Sequence, residues 1–212
     1  REILFQGSDF NAYIHQREGS LFELDSLKTK TNYANVLASA LPGEGRRPSA
    51  ASFQDRFCKS GQFGADISLG QEGFALEDSD RPAHQAILTR DLALEIGGRK
   101  KLLFLRKKYV FRKVALSVVY ELANRESEAL SFRCCTELKL AAGSSPEAVG
   151  LEAQVSASGL KGGEKAAEKL VLASDAKVEA PGLDLLRITN ARAEEQLELR
   201  ADRPFHLVAR PL

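Results

Sequence analysis

The chain has 212 residues, of which 43% are hydrophobic, and its 30 Lys and Arg against 29 Asp and Glu leave a net charge of +1. This length suffices for one large all-β domain, and the balanced charge disfavours a nucleic-acid partner, which needs several convergent cations. No apolar run reaches the ~20 residues of a membrane-spanning helix and no signal segment opens the chain, so we predict a cytoplasmic protein without membrane contact.

The N-terminal segment predicts two short strands. Residues 1–7 contain a viral-protease tag-like stretch, Ile3–Gly7, and both a tag and a native strand stay open as its origin. Strands are predicted at Phe10–His15 and Ser20–Asp25. Glu23 and Asp25 share one face of the second strand, where an exposed polar surface is favoured over a pair of glycosidase carboxylates.

The middle of the chain is dominated by period-two alternation. We predict a short helix at Tyr33–Leu41 and a loop at Pro42–Ala51, then strands at Ala86–Ile96 and Leu102–Phe111. Residues 114–122 and 130–140 are predicted to pair as one long antiparallel hairpin. Basic groups at 99–101, 106–108 and 112–113 flank these apolar residues and are interpreted as solvated strand ends.

The C-terminal third predicts further strands and one weak helix. The helix is predicted at Glu164–Leu170, after a Gly-, Ser- and Pro-containing loop at Ala141–Ala148. Because neither loop is long enough to separate domains, we expect residues 1–212 to form a single domain of two stacked antiparallel sheets with little helix. The strands are predicted at Leu151–Ser156, Leu183–Thr189, Gln196–Arg200 and Phe205–Ala209.

No motif for catalysis, cofactor binding or metal binding is present. A Gly-x-Ser-x-Gly turn and a phosphate-cradling glycine loop are both missing. The three cysteines, Cys58, Cys134 and Cys135, are expected to be reduced, with Cys134 facing the core and Cys135 facing away from it. The three histidines, His15, His84 and His206, are predicted at surface or strand-end positions. We therefore expect no catalytic residue, no cofactor and no metal ion.

Four segments resemble the C-terminal β-sandwich domain of glycoside hydrolase family 57, the α-amylase and 4-α-glucanotransferase group. Glu18–Asp25 is similar to the Gly-Gly-x-x-x-Glu-Leu-Asp opening strand, with Glu18 in place of the first glycine. Asn32–Leu41 resembles the segment that follows, and Ser52–Phe57 resembles the Phe-x-Asp-His/Arg-Phe motif. Lys108–Leu140 is similar to the central hairpin, whereas the Glu-x-Tyr-His element of the family is missing around 46–51.

The resemblance implies a large antiparallel sandwich of the galactose mutarotase-like supersandwich type, in a non-catalytic domain of an α-glucan hydrolase or transferase. The paired carboxylates of such an enzyme belong to an N-terminal barrel against which this domain packs. Since the chain starts without methionine, we expect it to be a fragment of that longer enzyme. The α-glucan, or maltooligosaccharide, is then a partner through the parent enzyme.

The candidate residues that face substrate or another domain are five polar side chains. They are Glu23, Asp25, Asp55, Arg56 and Glu137. Two other functions stay open: an independent carbohydrate-binding module, for which the lack of tryptophan is unfavourable, and an aldose 1-epimerase-like enzyme. The second requires a histidine acid and a glutamate base that converge on a concave sheet.

Overall fold

The computed structural model describes residues 2–28, 53–59, 67–69, 73–80, 84–137, 149–155, 167–170, 178–190 and 194–209. Throughout these ranges the regular structure is β-strand and every pairing is antiparallel, which confirms the predicted all-β class. The strands are β1 (Glu2–Gln6), β2 (Phe10–His15), β3 (Ser20–Ser26), β4 (Gln54–Cys58), β5 (Ser68–Leu69), β6 (Ala75–Asp80), β7 (Gln85–Ile96), β8 (Arg99–Arg112), β9 (Ala115–Asn124), β10 (Arg133–Glu137), β11 (Val149–Val155), β12 (Ala167–Leu170), β13 (Val178–Asn190) and β14 (Glu195–Ala209).

The strands group into two compact units. Unit 1 comprises Arg1–Ala141 and holds β1–β10, and unit 2 comprises Ala142–Leu212 and holds β11–β14. The boundary falls at the segment that was predicted as a loop, Ala141–Ala148, which lies outside the described residues. The single-domain prediction stays a prediction, because two compact units can belong to one domain.

The described residues of unit 1 form three sheets that share one core. A three-stranded sheet has the order β1-β2-β3, a two-stranded sheet pairs β10 with β4, and a five-stranded sheet has the order β5-β7-β8-β9 with β6 also on β7. Ile14 and Leu21 of the first sheet, Phe57 of the second and Leu105 of the third belong to the same buried cluster. Apolar residues at alternate positions therefore pack sheet on sheet, which is the arrangement of a β-sandwich.

The turn between β2 and β3 requires glycine at position 19. Gly19 has φ +61°, and a Cβ at this position would lie 2.5 Å from the ring of Phe74. Its carbonyl accepts a hydrogen bond of 2.8 Å from the buried Tyr109 hydroxyl. The glycine of the Glu18–Asp25 segment thus joins the first sheet to the central strand of the third.

The predicted hairpin of residues 114–122 and 130–140 is wrong, because its two strands pair with other strands. The strand at 115–124 exists, but among the described strands it pairs with β8, whereas β10 pairs with β4 in the register Cys134↔Phe57. The cause is a long-range pairing: β4 takes β10 into a separate two-stranded sheet. Residues 138–140 of the predicted strand lie outside the described residues.

In unit 2, the residues that the structure describes form a four-stranded sheet with the order β12-β11-β13-β14. The predicted helix at Glu164–Leu170 is wrong over 167–170, because these residues form β12 and pair with β11 in the register Leu151↔Leu170. The two strands predicted at 196–200 and 205–209 are one strand, β14. The helix predicted at Tyr33–Leu41 lies outside the described residues.

None of the residues that the structure describes lies in an apolar helix of the length needed to cross a membrane.

Candidate functional site

The middle of β8 places a lysine in the core row of unit 1. Every second residue from Leu103 to Phe111 is buried, and Lys107 takes the central position of that row with 0% of its side chain exposed. Lys107 lies directly opposite Leu88 on β7 and Tyr120 on β9. The alternation of side chains along β8 therefore places this ammonium group between the sheets.

Two residues of the β4 segment bind the buried ammonium. Lys107 Nζ lies 2.9 Å from Asp55 Oδ2, and the Asp55 side chain is 6% exposed. Lys107 also donates a hydrogen bond to the Phe53 carbonyl oxygen. Phe53 has φ 60°, a left-handed conformation that is uncommon for a bulky residue. The chain enters β4 in this conformation, with its carbonyl oxygen bound to the ammonium.

Aromatic rings surround the ion pair. Lys107 Nζ lies 5.1 Å from the ring centre of Tyr120, 5.5 Å from that of Tyr109 and 5.9 Å from that of Phe74. Ring faces attract cations, and they also exclude water from the charge. The rings and the Asp55 carboxylate together replace the hydration shell that Lys107 loses on folding.

Burial shifts the pKa values of both partners towards their neutral forms. The loss of solvent lowers the pKa of Lys107, and the nearby Asp55 carboxylate opposes part of this shift. The loss of solvent raises the pKa of Asp55, against the charge and hydrogen bond of Lys107. The pair is held by geometry in an environment that penalises either charge alone.

Two oxygen atoms beside the pair lack a hydrogen bond of good geometry. Asp55 Oδ1 and the Tyr120 hydroxyl are both buried without a partner, although each is close enough to influence the pKa of the other. Burial raises the pKa of Tyr120 well above its usual value, so this group stays a neutral hydroxyl. A neutral phenol, an ion-paired carboxylate and a sealed ammonium provide cohesion between strands rather than a group that reaches a substrate.

A second cluster lies on the outer face of the first sheet. Tyr13 pairs with Glu23 and Asn11 pairs with Asp25 across β2 and β3. A register shift beside Tyr13 turns the Phe22 ring to the same side, 5.9 Å from the Tyr13 ring. We name the Asn11, Tyr13, Phe22, Glu23 and Asp25 side chains the outer-face cluster. All five are partly exposed.

The carboxylates of the outer-face cluster repel one another. Partial burial raises the pKa of Glu23, and the nearby charges of Asp25 and Glu2 raise it further. A ring pair beside carboxylates and an amide can stack on a sugar face and accept hydrogen bonds from its hydroxyls. The structure therefore brings two sequence-predicted residues, Glu23 and Asp25, together with aromatic groups that the sequence reading did not connect to them.

The other three predicted site residues lie on the sheet of β4 and β10. Asp55 faces Lys107 inside unit 1, where the prediction had it facing a substrate or another domain. Arg56 is exposed on the opposite face of β4, in register with Cys135. Glu137 ends β10 opposite Gln54. These three positions share a two-stranded sheet and do not converge with Glu23 and Asp25 in one site.

The histidines bear on the epimerase alternative. His15 Nδ1 lies 3.7 Å from Glu18 Oε1 at the turn after β2, whereas His84 and His206 are exposed. A histidine and a glutamate in direct contact leave no room for a sugar ring between them. Among the described residues, the buried polar residues are Ser20, Ser26 and Lys107, and none of them is a histidine or a glutamate.

Lys107 is the residue that sequence reasoning missed. It was interpreted as part of a solvated basic group, and this interpretation is wrong for Lys107. The pattern that identifies it is the alternation of Leu103, Leu105, Tyr109 and Phe111, which leaves position 107 on the apolar face. Among the described residues, no group of three or more His, Cys, Asp or Glu side chains is placed to hold a metal ion.

No family model and no curated protein matches this chain. Among solved structures, it is similar to a galactose mutarotase-like protein from Lactobacillus casei, with a TM-score of 0.69 over 100% of this chain and 83% of that chain. The two sequences are 14% identical, so the likeness concerns the fold. It confirms the predicted galactose mutarotase-like β-sandwich.

Proposed function

We propose that this chain is a non-catalytic β-sandwich domain of an α-glucan-acting glycoside hydrolase or 4-α-glucanotransferase. In this role the domain packs against a catalytic barrel and contributes a wall to the glucan cleft. The outer-face cluster contacts the glucan. The mutarotase-like fold supports a carbohydrate-related role, and the resemblance of Glu18–Asp25 to the family's opening strand supports the particular enzyme group.

The observation that carries the proposal is the placement of Glu23 and Asp25 beside the Tyr13 and Phe22 rings on one partly exposed sheet face. Carbohydrate recognition uses aromatic ring faces together with acceptors for hydroxyl hydrogens. The outer-face cluster offers the Tyr13 and Phe22 rings, which are inclined by 57° to each other, beside the carboxylates of the same sheet face. Glu23 and Asp25 lie two residues apart on one strand, so both carboxylates face the same side of a bound sugar. Glycoside hydrolysis instead needs two carboxylates that flank the scissile bond.

The sealed Lys107–Asp55 pair supports the non-catalytic part of the proposal. Burial shifts the pKa values of both Lys107 and Asp55 towards their neutral forms, yet the Lys107 side chain has no exposed surface. A general acid or base must reach a substrate proton directly or through one water molecule. Lys107 instead ties β8 to β4.

Strand β9 supports the contact with another domain. Among the described strands it pairs with β8 alone, so its second edge has no partner strand within the part of the chain that the structure describes. Val119 and Leu122 on this strand are 46% and 39% exposed. An exposed apolar edge strand is a favourable surface for a neighbouring domain.

A maltoheptaose titration of the ¹⁵N-labelled chain, followed by NMR, tests the glucan contact. We expect amide shifts concentrated on β2 and β3. Tyr13→Ala and Glu23→Gln should each weaken binding about tenfold, which corresponds to ~1.4 kcal/mol. Glu95→Gln is the matched control, because Glu95 is an exposed carboxylate on β7 of another sheet. Unchanged affinity in both test variants, or shifts confined to other strands, would contradict the proposal.

The aldose 1-epimerase alternative rests on the likeness of the fold. It requires acid and base groups on opposite sides of a pyranose. The His15–Glu18 contact of 3.7 Å does not meet this requirement. Polarimetry of freshly dissolved α-galactose separates the two functions, since the non-catalytic domain leaves the spontaneous rate of mutarotation unchanged.

A further inference from the structure

The sheet formed by β4 and β10 brings two cysteines to one face. Cys58 lies opposite Arg133, and Cys135 lies opposite Arg56. Since side chains alternate along each strand, Cys58 and Cys135 project from the same face, offset by two residues. Cys134 projects from the other face, opposite Phe57.

The Cys58 thiol is close enough to Cys135 to raise its pKa. Both cysteines are free thiols, Cys58 with 2% of its surface exposed and Cys135 partly exposed. Diagonal neighbours on paired strands have Cα atoms about 7–8 Å apart, and disulfides span up to about 6.8 Å. A movement of about 1 Å between two five-residue strands brings this pair within bonding range.

We propose that Cys58 and Cys135 are a redox-reactive pair, which a peroxide converts to a disulfide between β4 and β10. The Cys135 thiol loses its proton, and the partly exposed thiolate attacks a peroxide oxygen. The O–O bond breaks, a sulfenic acid forms, and the departing hydroxide takes up the released proton to give one water molecule. The Cys58 sulfur then attacks the Cys135 sulfur, the S–O bond breaks, and a second water molecule leaves. Two thiols lose two electrons, and one peroxide gains them.

The surroundings of Cys135 bear on its rate of reaction. Burial raises the pKa of Cys135, and the nearby Cys58 raises it further, whereas Arg133 and Arg56 oppose the shift. The thiolate is the attacking form, so oxidation accelerates as the pH rises above neutrality. The disulfide fastens β4, which carries Asp55, to β10.

Cys134 provides a matched control within the same strand. It precedes Cys135 directly but faces Phe57 and lies near Asp55. Although the residue as a whole is exposed, the protein atoms around its sulfur raise the pKa of the thiol to about 12. It therefore has neither the position nor the thiolate fraction to replace Cys135.

The test is oxidation of the folded chain with hydrogen peroxide, alkylation of the remaining thiols and peptide mass spectrometry. We expect a Cys58–Cys135 disulfide with Cys134 alkylated, and the same disulfide at unchanged yield in Cys134→Ser. Cys58→Ser should stop at a Cys135 sulfenic acid that dimedone traps, and Cys135→Ser should form no bridge. Far-UV circular dichroism verifies that each variant is folded.

A second readout does not depend on the buried Cys58 variant. Oxidised wild type and oxidised Cys134→Ser should melt at a higher temperature than their reduced forms, and peroxide should not raise the melting temperature of Cys135→Ser. A disulfide that includes Cys134, a linkage between chains, or sulfenic acid that accumulates on wild-type Cys135 without a bridge would overturn the proposal.

Discussion

At the scale of single residues, the Lys107–Asp55 pair shows how strand geometry overrides composition. Three consecutive basic residues, 106–108, suggest a solvated surface, but the middle one, Lys107, is buried. Arg106 forms surface ion pairs with Glu77 and Glu121, whereas Lys107 points inward. Alternation decides which of the three is buried, and its partner, 52 residues away on β4, could not be found from local sequence.

Removal of one member of the buried pair should destabilise unit 1 strongly. Asp55→Asn leaves the Lys107 ammonium without its counter-charge, and we expect a loss of about 3–5 kcal/mol in the free energy of unfolding. Urea denaturation measures this loss. The double variant Asp55→Leu with Lys107→Met should recover most of it, because well-packed apolar residues can replace a buried ion pair.

An exposed ion pair supplies the control for this prediction. Asp91 lies 3.5 Å from Arg125, and both side chains are more than half exposed. Asp91→Asn should cost at most about 1 kcal/mol. Equal costs for Asp55→Asn and Asp91→Asn would mean that the Lys107 environment is solvated in solution.

At the scale of strands, period-two alternation predicts where a strand lies better than it predicts which strand it pairs with. The predicted strands Phe10–His15 and Ala86–Ile96 agree with β2 and β7 to within one residue, because each presents alternate apolar side chains to the shared core. β4 was recognised only as a motif, since its five residues include Asp55 and Arg56. β12 resembles a helix in its Ala, Glu and Lys content, and its pairing with β11 overrides that local preference.

The outer-face cluster could be predicted only in part. The i and i+2 spacing of Glu23 and Asp25 placed both carboxylates on one face. The contribution of Tyr13 depends on the register between β2 and β3, and that of Phe22 depends on the register shift beside it. Cross-strand register and bulges are set by the packing of both strands, so one strand's sequence does not determine them.

Backbone exchange should identify β9 as an edge strand. With β8 as its partner on one side, only alternate amides of Ala115–Asn124 donate to a neighbouring strand. We therefore expect alternate β9 amides to exchange with deuterium orders of magnitude faster than their neighbours, whereas β8, paired on both sides, shows continuous protection. Hydrogen exchange followed by NMR measures this pattern. Continuous protection along β9 would show that a further strand covers the proposed contact surface.

At the scale of the whole molecule, the fold and the function rest on different observations. The all-β class and the mutarotase-like sandwich follow from alternation and from the structural likeness. The proposal of an α-glucan-acting enzyme rests on the resemblance of the Glu18–Asp25 and Ser52–Phe57 segments and on the outer-face cluster. One fold supports many activities, so the site and not the sandwich must carry the functional conclusion.

Product analysis with maltoheptaose tests the central claim, that this chain is a glucan-contacting domain without its own catalytic pair. The purified chain is incubated with the oligosaccharide, and chain lengths are followed by chromatography over time. We predict that maltoheptaose is neither shortened nor disproportionated, because hydrolysis or transfer requires two carboxylates on opposite sides of the scissile bond. Turnover that scales with the protein concentration, and that Glu23→Gln or Asp25→Asn abolishes, would contradict the account.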